Sequence, residues 1–181
     1  MLSIIFKENK RMNESRKIHL LVALPSALLL ASGQAFAHEN QHEAVSTEAV
    51  DKTQQLWGLA ADPGTADQTI TISMSDDMRF SPEKLSVREG ETVTFKIRNE
   101  GEMMHEFVLG TEETLAEHAA LMVKFPGMEH SEPYMVHVPP GETGEVNWTF
   151  NKSGHFDFAC LIAGHYQSGM VGTIAVEVSD K

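Results

Sequence analysis

The chain has a single thiol, Cys160. A four-residue gap leads from it to an imidazole, His165, and a second four-residue gap leads to a thioether, Met170. One thiolate, one imidazole and one weak thioether from a single loop are three of the four donors of a type 1 copper site. The fourth is a second imidazole from elsewhere in the chain, and His105, at the head of the apolar run Phe107-Val108-Leu109, can supply it. Any fold for this sequence then has to carry position 105 up against the loop 160–170. The competing reading is a small buried Cys with an unrelated His and Met nearby, since free Cys often serves as a core residue.

A lone Cys carries more meaning in an exported chain, and the N-terminus reads as an export signal. Lys7, Lys10, Arg11, Arg16 and Lys17 precede an apolar run from Ile18 to Leu30, and Ala35-Phe36-Ala37 has the small-x-small form of a cleavage site. We expect residues 1–37 to be a signal peptide, with Met12 an alternative start, and the mature chain to be periplasmic with no membrane span. An odd thiol in that compartment has no internal disulfide partner, and metal ligation would protect it. The first 37 residues hold five of the 14 basic and two of the 26 acidic residues, so the remaining 144 carry a formal charge near −15. That balance argues against nucleic acid and anionic membrane surfaces as partners.

Residues 38–67 are acidic, polar and nearly aperiodic, and are expected to form a flexible tail around the Leu56-Trp57-Gly58-Leu59 patch. From residue 68 to 181 the pattern changes. Thr69 to Met74, Thr92 to Arg98, Tyr134 to Val138 and Val146 to Phe150 alternate as half-buried strands, with turns at Glu89-Gly90-Glu91 and Pro139-Pro140-Gly141. One segment, Thr111 to Lys124, has helical spacing: Thr111 with Glu112 and Glu113 can cap it, and Leu115, Ala119, Met122 and Val123 share a face. About eight short strands and one inserted helix predict an all-β, antiparallel Greek-key β-sandwich.

Several stretches make a resemblance specific. Phe80-Ser81-Pro82, Val87-Arg88-Glu89-Gly90-Glu91-Thr92-Val93, the strand opening at His105, and Gly154-His155-Phe156-Asp157-Phe158-Ala159-Cys160 with its following His and Met are similar to cupredoxins of the plastocyanin/azurin type. Met104 to Gly110 followed by Phe125 to His130 resembles the bacterial periplasmic cupredoxins of copper tolerance. The resemblance implies one type 1 copper held by Cys160, His105 and His165, with Met170 as a long axial ligand. Two departures bear on detail. Both ligand gaps are four residues here, where related loops shorten one of them, so the blue, perturbed or green character stays open. Glu106 stands where small blue proteins commonly carry Asn; as a strand residue after an inward ligand it is expected to point outward into solvent, the alternatives being a supporting acceptor or a rival axial donor.

The domain also has more Met and His than one site needs. Met128, His130, Met135 and His137 form a candidate auxiliary patch for additional, weakly bound copper, of a kind suited to soft Cu(I), with packing and surface roles as the alternative. Cleavage after Ala37 would leave His38 at the N-terminus, where its amine and imidazole, with His42, can chelate a copper ion. The expected function is protection against copper by binding or oxidising Cu(I) and passing electrons to a redox protein, a c-type cytochrome or a copper oxidase. A general soluble electron carrier between respiratory partners is the alternative. An enzyme is not expected, because copper oxidases and nitrite reductases need further copper centres and His-x-His pairs. A zinc site fits poorly with one Cys and an axial Met.

Overall fold

The computed structural model describes residues 50–128 and 130–179. The expected signal peptide, His38 and His42 lie outside the described residues. Strands form where the alternation is cleanest: β2 (Gln68–Ser75), β5 (Thr92–Asn99) and β8 (Thr143–Thr149). With the short β1 (Leu59–Ala60) and β3 (Arg79–Ser81) they make one five-stranded sheet in the order β1-β8-β5-β2-β3. The second sheet runs β4 (Lys84–Arg88), β10 (Val171–Glu177), β9 (Gly154–Ala159), β6 (His105–Gly110), β7 (Met135–Val138). The described residues thus form ten strands, two more than expected, packed as a sandwich. Phe80, Phe95, Phe107, Phe150, Phe158 and Trp148 fill the space between the sheets, each at most 2% exposed. Their rings meet edge-on or tilted, as with Phe80 and Phe158 at 5.0 Å.

The sandwich is not wholly antiparallel. β2 pairs with β5, and β4 with β10, in parallel. After β3 the chain leaves the first sheet for β4 in the second and then returns to β5. Parallel neighbours cannot be joined by a tight hairpin, and the excursion through β4 supplies the longer connection that β2 and β5 need.

Part of the expected tail also belongs to the fold. Trp57 is 5% exposed and packs edge-on against Tyr134 at 5.3 Å. Its carbonyl accepts a hydrogen bond from Trp148 Nε1 (2.9 Å), and β1 pairs with β8. One large aromatic ring and a two-residue strand hold this segment, a signal too short to register as periodicity.

β6 is the strand that positions the site, and all six of its residues are buried. Phe107 and Leu109 face the space between the sheets, while Val108 packs with Leu115, Ala119 and Met122 of the helix α1 (Glu112–Lys124). α1 begins with a reciprocal cap between Thr111 and Thr114 rather than through Glu112 or Glu113, and Val123 is exposed instead of joining the apolar face. The helix therefore roofs the outer side of β6, and this strand has no face left for water.

Candidate metal centre

β9 ends at Ala159 and delivers Cys160; β10 begins at Val171 just after Met170; β6, paired to β9, opens on His105. The intervening loop is closed by its own backbone. Cys160 N–H donates to the Met170 carbonyl (3.1 Å), and Met170 N–H donates to the His165 carbonyl (3.1 Å). Cys160 Sγ stands 3.3 Å from His165 Nδ1 and 3.9 Å from His105 Nδ1. The three donor atoms lie within 4.8 Å of one another, and the two imidazole rings are 5.0 Å apart. Cys160, His105 and Met170 are fully buried, whereas His165 is partly exposed. The structure thus brings the two imidazoles and the thiol together, with Met170 in the same buried cluster as Cys160. Two nitrogens and one soft sulfur this close together suit copper, and this His–Cys–His cluster can bind one ion.

Further residues hold these donors, and the sequence did not reveal them. Asp76, in the turn after β2, places Oδ1 3.1 Å from His105 Nε2. That contact leaves Nδ1 as the free lone pair facing the thiol, the usual way an outer carboxylate fixes a ligand tautomer. Asp76 also accepts from Glu102 N–H (2.8 Å) and Met103 N–H (3.3 Å). The Glu102 hydrogen bond is the main reason its carboxyl is held below the usual carboxylate range. The approach is close enough to require glycine at 101, where a Cβ would sit 2.0 Å from Asp76 Oδ1. Asn99, fully buried, donates to the Met103 and Val138 carbonyls (2.7 and 2.8 Å) and accepts from Gly101 N–H (2.9 Å), bracing the turn that leads into His105. Arg79 Nη1 donates to the Ser168 and Gly169 carbonyls (3.1 and 3.3 Å) and pins the loop just before Met170.

The thiol is poorly hydrated. Its Sγ accepts a hydrogen bond from Glu106 N–H (3.3 Å), yet burial outweighs this and pushes its pKa from 9.0 up to about 12. Burial, with the nearby His105, holds His165 below the ordinary imidazole value.

Glu106 overturns the expectation of a solvated side chain, because α1 and the segment after it cover the outer face of β6. The residue is fully buried, and its Oε2 accepts from Leu161 N–H (3.3 Å). It thereby ties the strand bearing His105 to the loop bearing Cys160. Burial pushes its carboxyl up, while His137 and His130 pull the other way.

The auxiliary candidates separate in the structure. His137 lies directly across from Glu106 in the β6–β7 pairing, and its Nε2 is 3.1 Å from Glu106 Oε1; His130 Nε2 is 4.0 Å from the same oxygen. Met128 lines a cleft with His130 and His137, whereas Met135 packs under α1 with Val108 and Leu115.

The family model of copper binding proteins, plastocyanin/azurin family, matches residues 66–177. The chain is 42% identical over 151 residues to the copper-resistant cuproprotein CopI of Rubrivivax gelatinosus, covering 83% of this chain and 92% of that protein. Against the protein of the same name from Pseudomonas aeruginosa it is 34% identical over 161 residues, 73% of this chain and 88% of that one. Among solved structures, reduced auracyanin from Roseiflexus castenholzii superposes with a TM-score of 0.53 at 21% identity, over 64% of this chain and 99% of auracyanin. Auracyanin A, a "blue" copper protein from Chloroflexus aurantiacus, gives 0.52 at 25% identity, over 60% and 98%. With its sandwich, its His–Cys–His cluster and these matches, the chain belongs to the plastocyanin/azurin family of copper-binding proteins.

Proposed function

We propose that the protein is an exported, periplasmic type 1 copper protein that protects against copper by binding and oxidising Cu(I). The supporting observation is the convergence of Cys160 Sγ, His105 Nδ1 and His165 Nδ1 in one cluster, two of its three residues fully buried, in a chain whose relatives are named copper-resistant cuproproteins. In this reading Cys160, His105 and His165 would hold the metal, with the buried Met170 thioether as a weaker donor beside them. Bound there, copper supplies one-electron chemistry with little rearrangement, because the donor set fully suits neither oxidation state. Asp76 and the backbone brace keep His105 in place through the change, and the Glu106 N–H shares the charge of the sulfur. The part-exposed His165 ring is the edge at which a partner docks. Each Cu(I) oxidised to Cu(II) loses one electron, which a redox protein such as a c-type cytochrome or copper oxidase takes up. The protein is a binder and carrier rather than an enzyme in this account.

Export rests on the basic, apolar and Ala-Phe-Ala pattern of residues 1–37; among the described residues no helix is long and apolar enough to cross a membrane. A deletion strain tests the role. The wild-type gene should restore growth on copper and the Cys160→Ser gene should not. Equal rescue by both would refute the reading, as would a deletion strain with normal copper tolerance.

A further inference from the structure

On the other side of β6 from the thiol lies a second set of donors. Glu106 is fully buried, and while its Oε2 is used by Leu161 N–H, its Oε1 makes no hydrogen bond. His130 Nε2 is also buried without a partner. Glu106 Oε1 lies 3.1 Å from His137 Nε2 and 4.0 Å from His130 Nε2, and these two imidazoles line a cleft of about 490 Å³ together with Met104, Met122 and Met128. His118 of α1 adds a third imidazole, its ring 4.4 Å from that of His130, and the His130 and His137 rings are 6.0 Å apart. The rings of the first cluster are 5.0 Å apart, so these spacings bracket one already suited to a shared ion.

A buried carboxylate with one oxygen left without a hydrogen bond is costly unless a cation balances it. Donors at roughly 2.0–2.2 Å from a shared metal sit about 3 Å from each other. Glu106 Oε1 and His137 Nε2, 3.1 Å apart without a hydrogen bond between them, already meet that spacing. His130, at 4.0 Å, needs a ring movement of about 1 Å. It follows α1 on an irregular segment, where a ring can turn. The side chain of His137 is 41% exposed, so ions reach the cleft from solvent.

We propose that Glu106, His130 and His137, with His118 beside them, form a second copper site distinct from the His–Cys–His cluster. Its donors are nitrogen and oxygen, which suit Cu(II), and among divalent first-row metals the order of affinities peaks at copper. The Met and His patch read from the sequence as a soft Cu(I) site thus becomes a harder one: Met135 leaves it, and Glu106 and His118 enter. The two sites share a backbone path, since Glu106 N–H contacts Cys160 Sγ and Leu161 N–H contacts Glu106 Oε2.

The test uses the mature protein carrying His38→Ala and His42→Ala, which removes the N-terminal donors. It is loaded with excess Cu(II), desalted and analysed for metal. The proposal requires two ions per chain, one with an intense visible band and one seen only by paramagnetic resonance as nitrogen- and oxygen-bound Cu(II). The further change His130→Gln with His137→Gln should lower the count from two to one and leave the visible band in place. Should that pair disturb the band, His137→Gln alone, at a half-exposed side chain, is expected to weaken the second ion at least tenfold. One ion in the parent, or two held as tightly in the variants, would overturn the proposal. The visible band reports the first cluster independently, so failure of the second site and failure of the first are separate results.

Discussion

Cys160 gives the most quantitative prediction, because its thiol must lose a proton before it can bind metal. The sulfur is fully buried, with one backbone N–H and two imidazoles for company, and burial raises its pKa to about 12. Each pH unit below that value corresponds to about 1.4 kcal/mol, so stripping the proton at pH 7 costs about 7 kcal/mol. Roughly 4 kcal/mol of this is due to burial, the remainder being the ordinary acidity of a thiol. Metal-free protein at neutral pH therefore carries a protonated thiol, and copper must displace that proton. His165, held below its ordinary value by burial, is neutral already and contributes none. Adding Cu(II) to metal-free protein in weak buffer between pH 7 and 9 should release one proton for each ion entering the coloured site. Apparent affinity, measured against a chelator of known pH dependence, should rise about tenfold per pH unit over the same range. Release near zero, or an affinity flat with pH, would mean that the thiolate is preformed and the burial argument is wrong. The same shift sets stability. Below pH 9 the thiol is protonated in both folded and unfolded chains. Between 9 and 12 only the unfolded chain ionises, so metal-free protein should lose up to about 4 kcal/mol relative to its copper form as pH rises through that window.

Other perturbations test the supporting structure. Asp76→Asn removes the charged acceptor at His105 Nε2 and should weaken copper binding by roughly 10- to 100-fold, as loss of an outer-shell partner commonly does. An unchanged affinity would remove Asp76 from the site. Asn99→Ala deletes three hydrogen bonds and leaves buried partners unpaired, for a loss of roughly 2–4 kcal/mol in denaturant unfolding. Trp57→Ala should cost about 3–5 kcal/mol if the segment before β2 belongs to the fold, and almost nothing if it is a free tail.

What was legible in the sequence was what neighbouring residues encode. The spacing of Cys160, His165 and Met170 lies within one loop, and the alternation of β2, β5 and β8 lies within single strands. His105 is identifiable because it heads an apolar strand and the loop supplies only one of the two imidazoles. What was missed depends on residues distant in the chain. Asp76 meets His105 across 29 positions, and Arg79 meets the ligand loop across about 90. Neither leaves a local pattern. Glu106 defies alternation for a related reason: alternation assumes that one face of a strand is wet, and α1 covers the face of β6 that the sandwich leaves open. Trp57 stood alone in a polar segment, and only the fold supplies Tyr134 and Trp148 to receive it.

The account depends on the thiol and the two imidazoles acting on one copper ion, and a visible absorption titration tests this most directly. Metal-free wild-type protein titrated with Cu(II) should develop an intense sulfur-to-copper band whose final intensity corresponds to one copper per thiol, and Cys160→Ser should show none. A band of undiminished intensity in Cys160→Ser, or no such band in the wild type, would contradict the account.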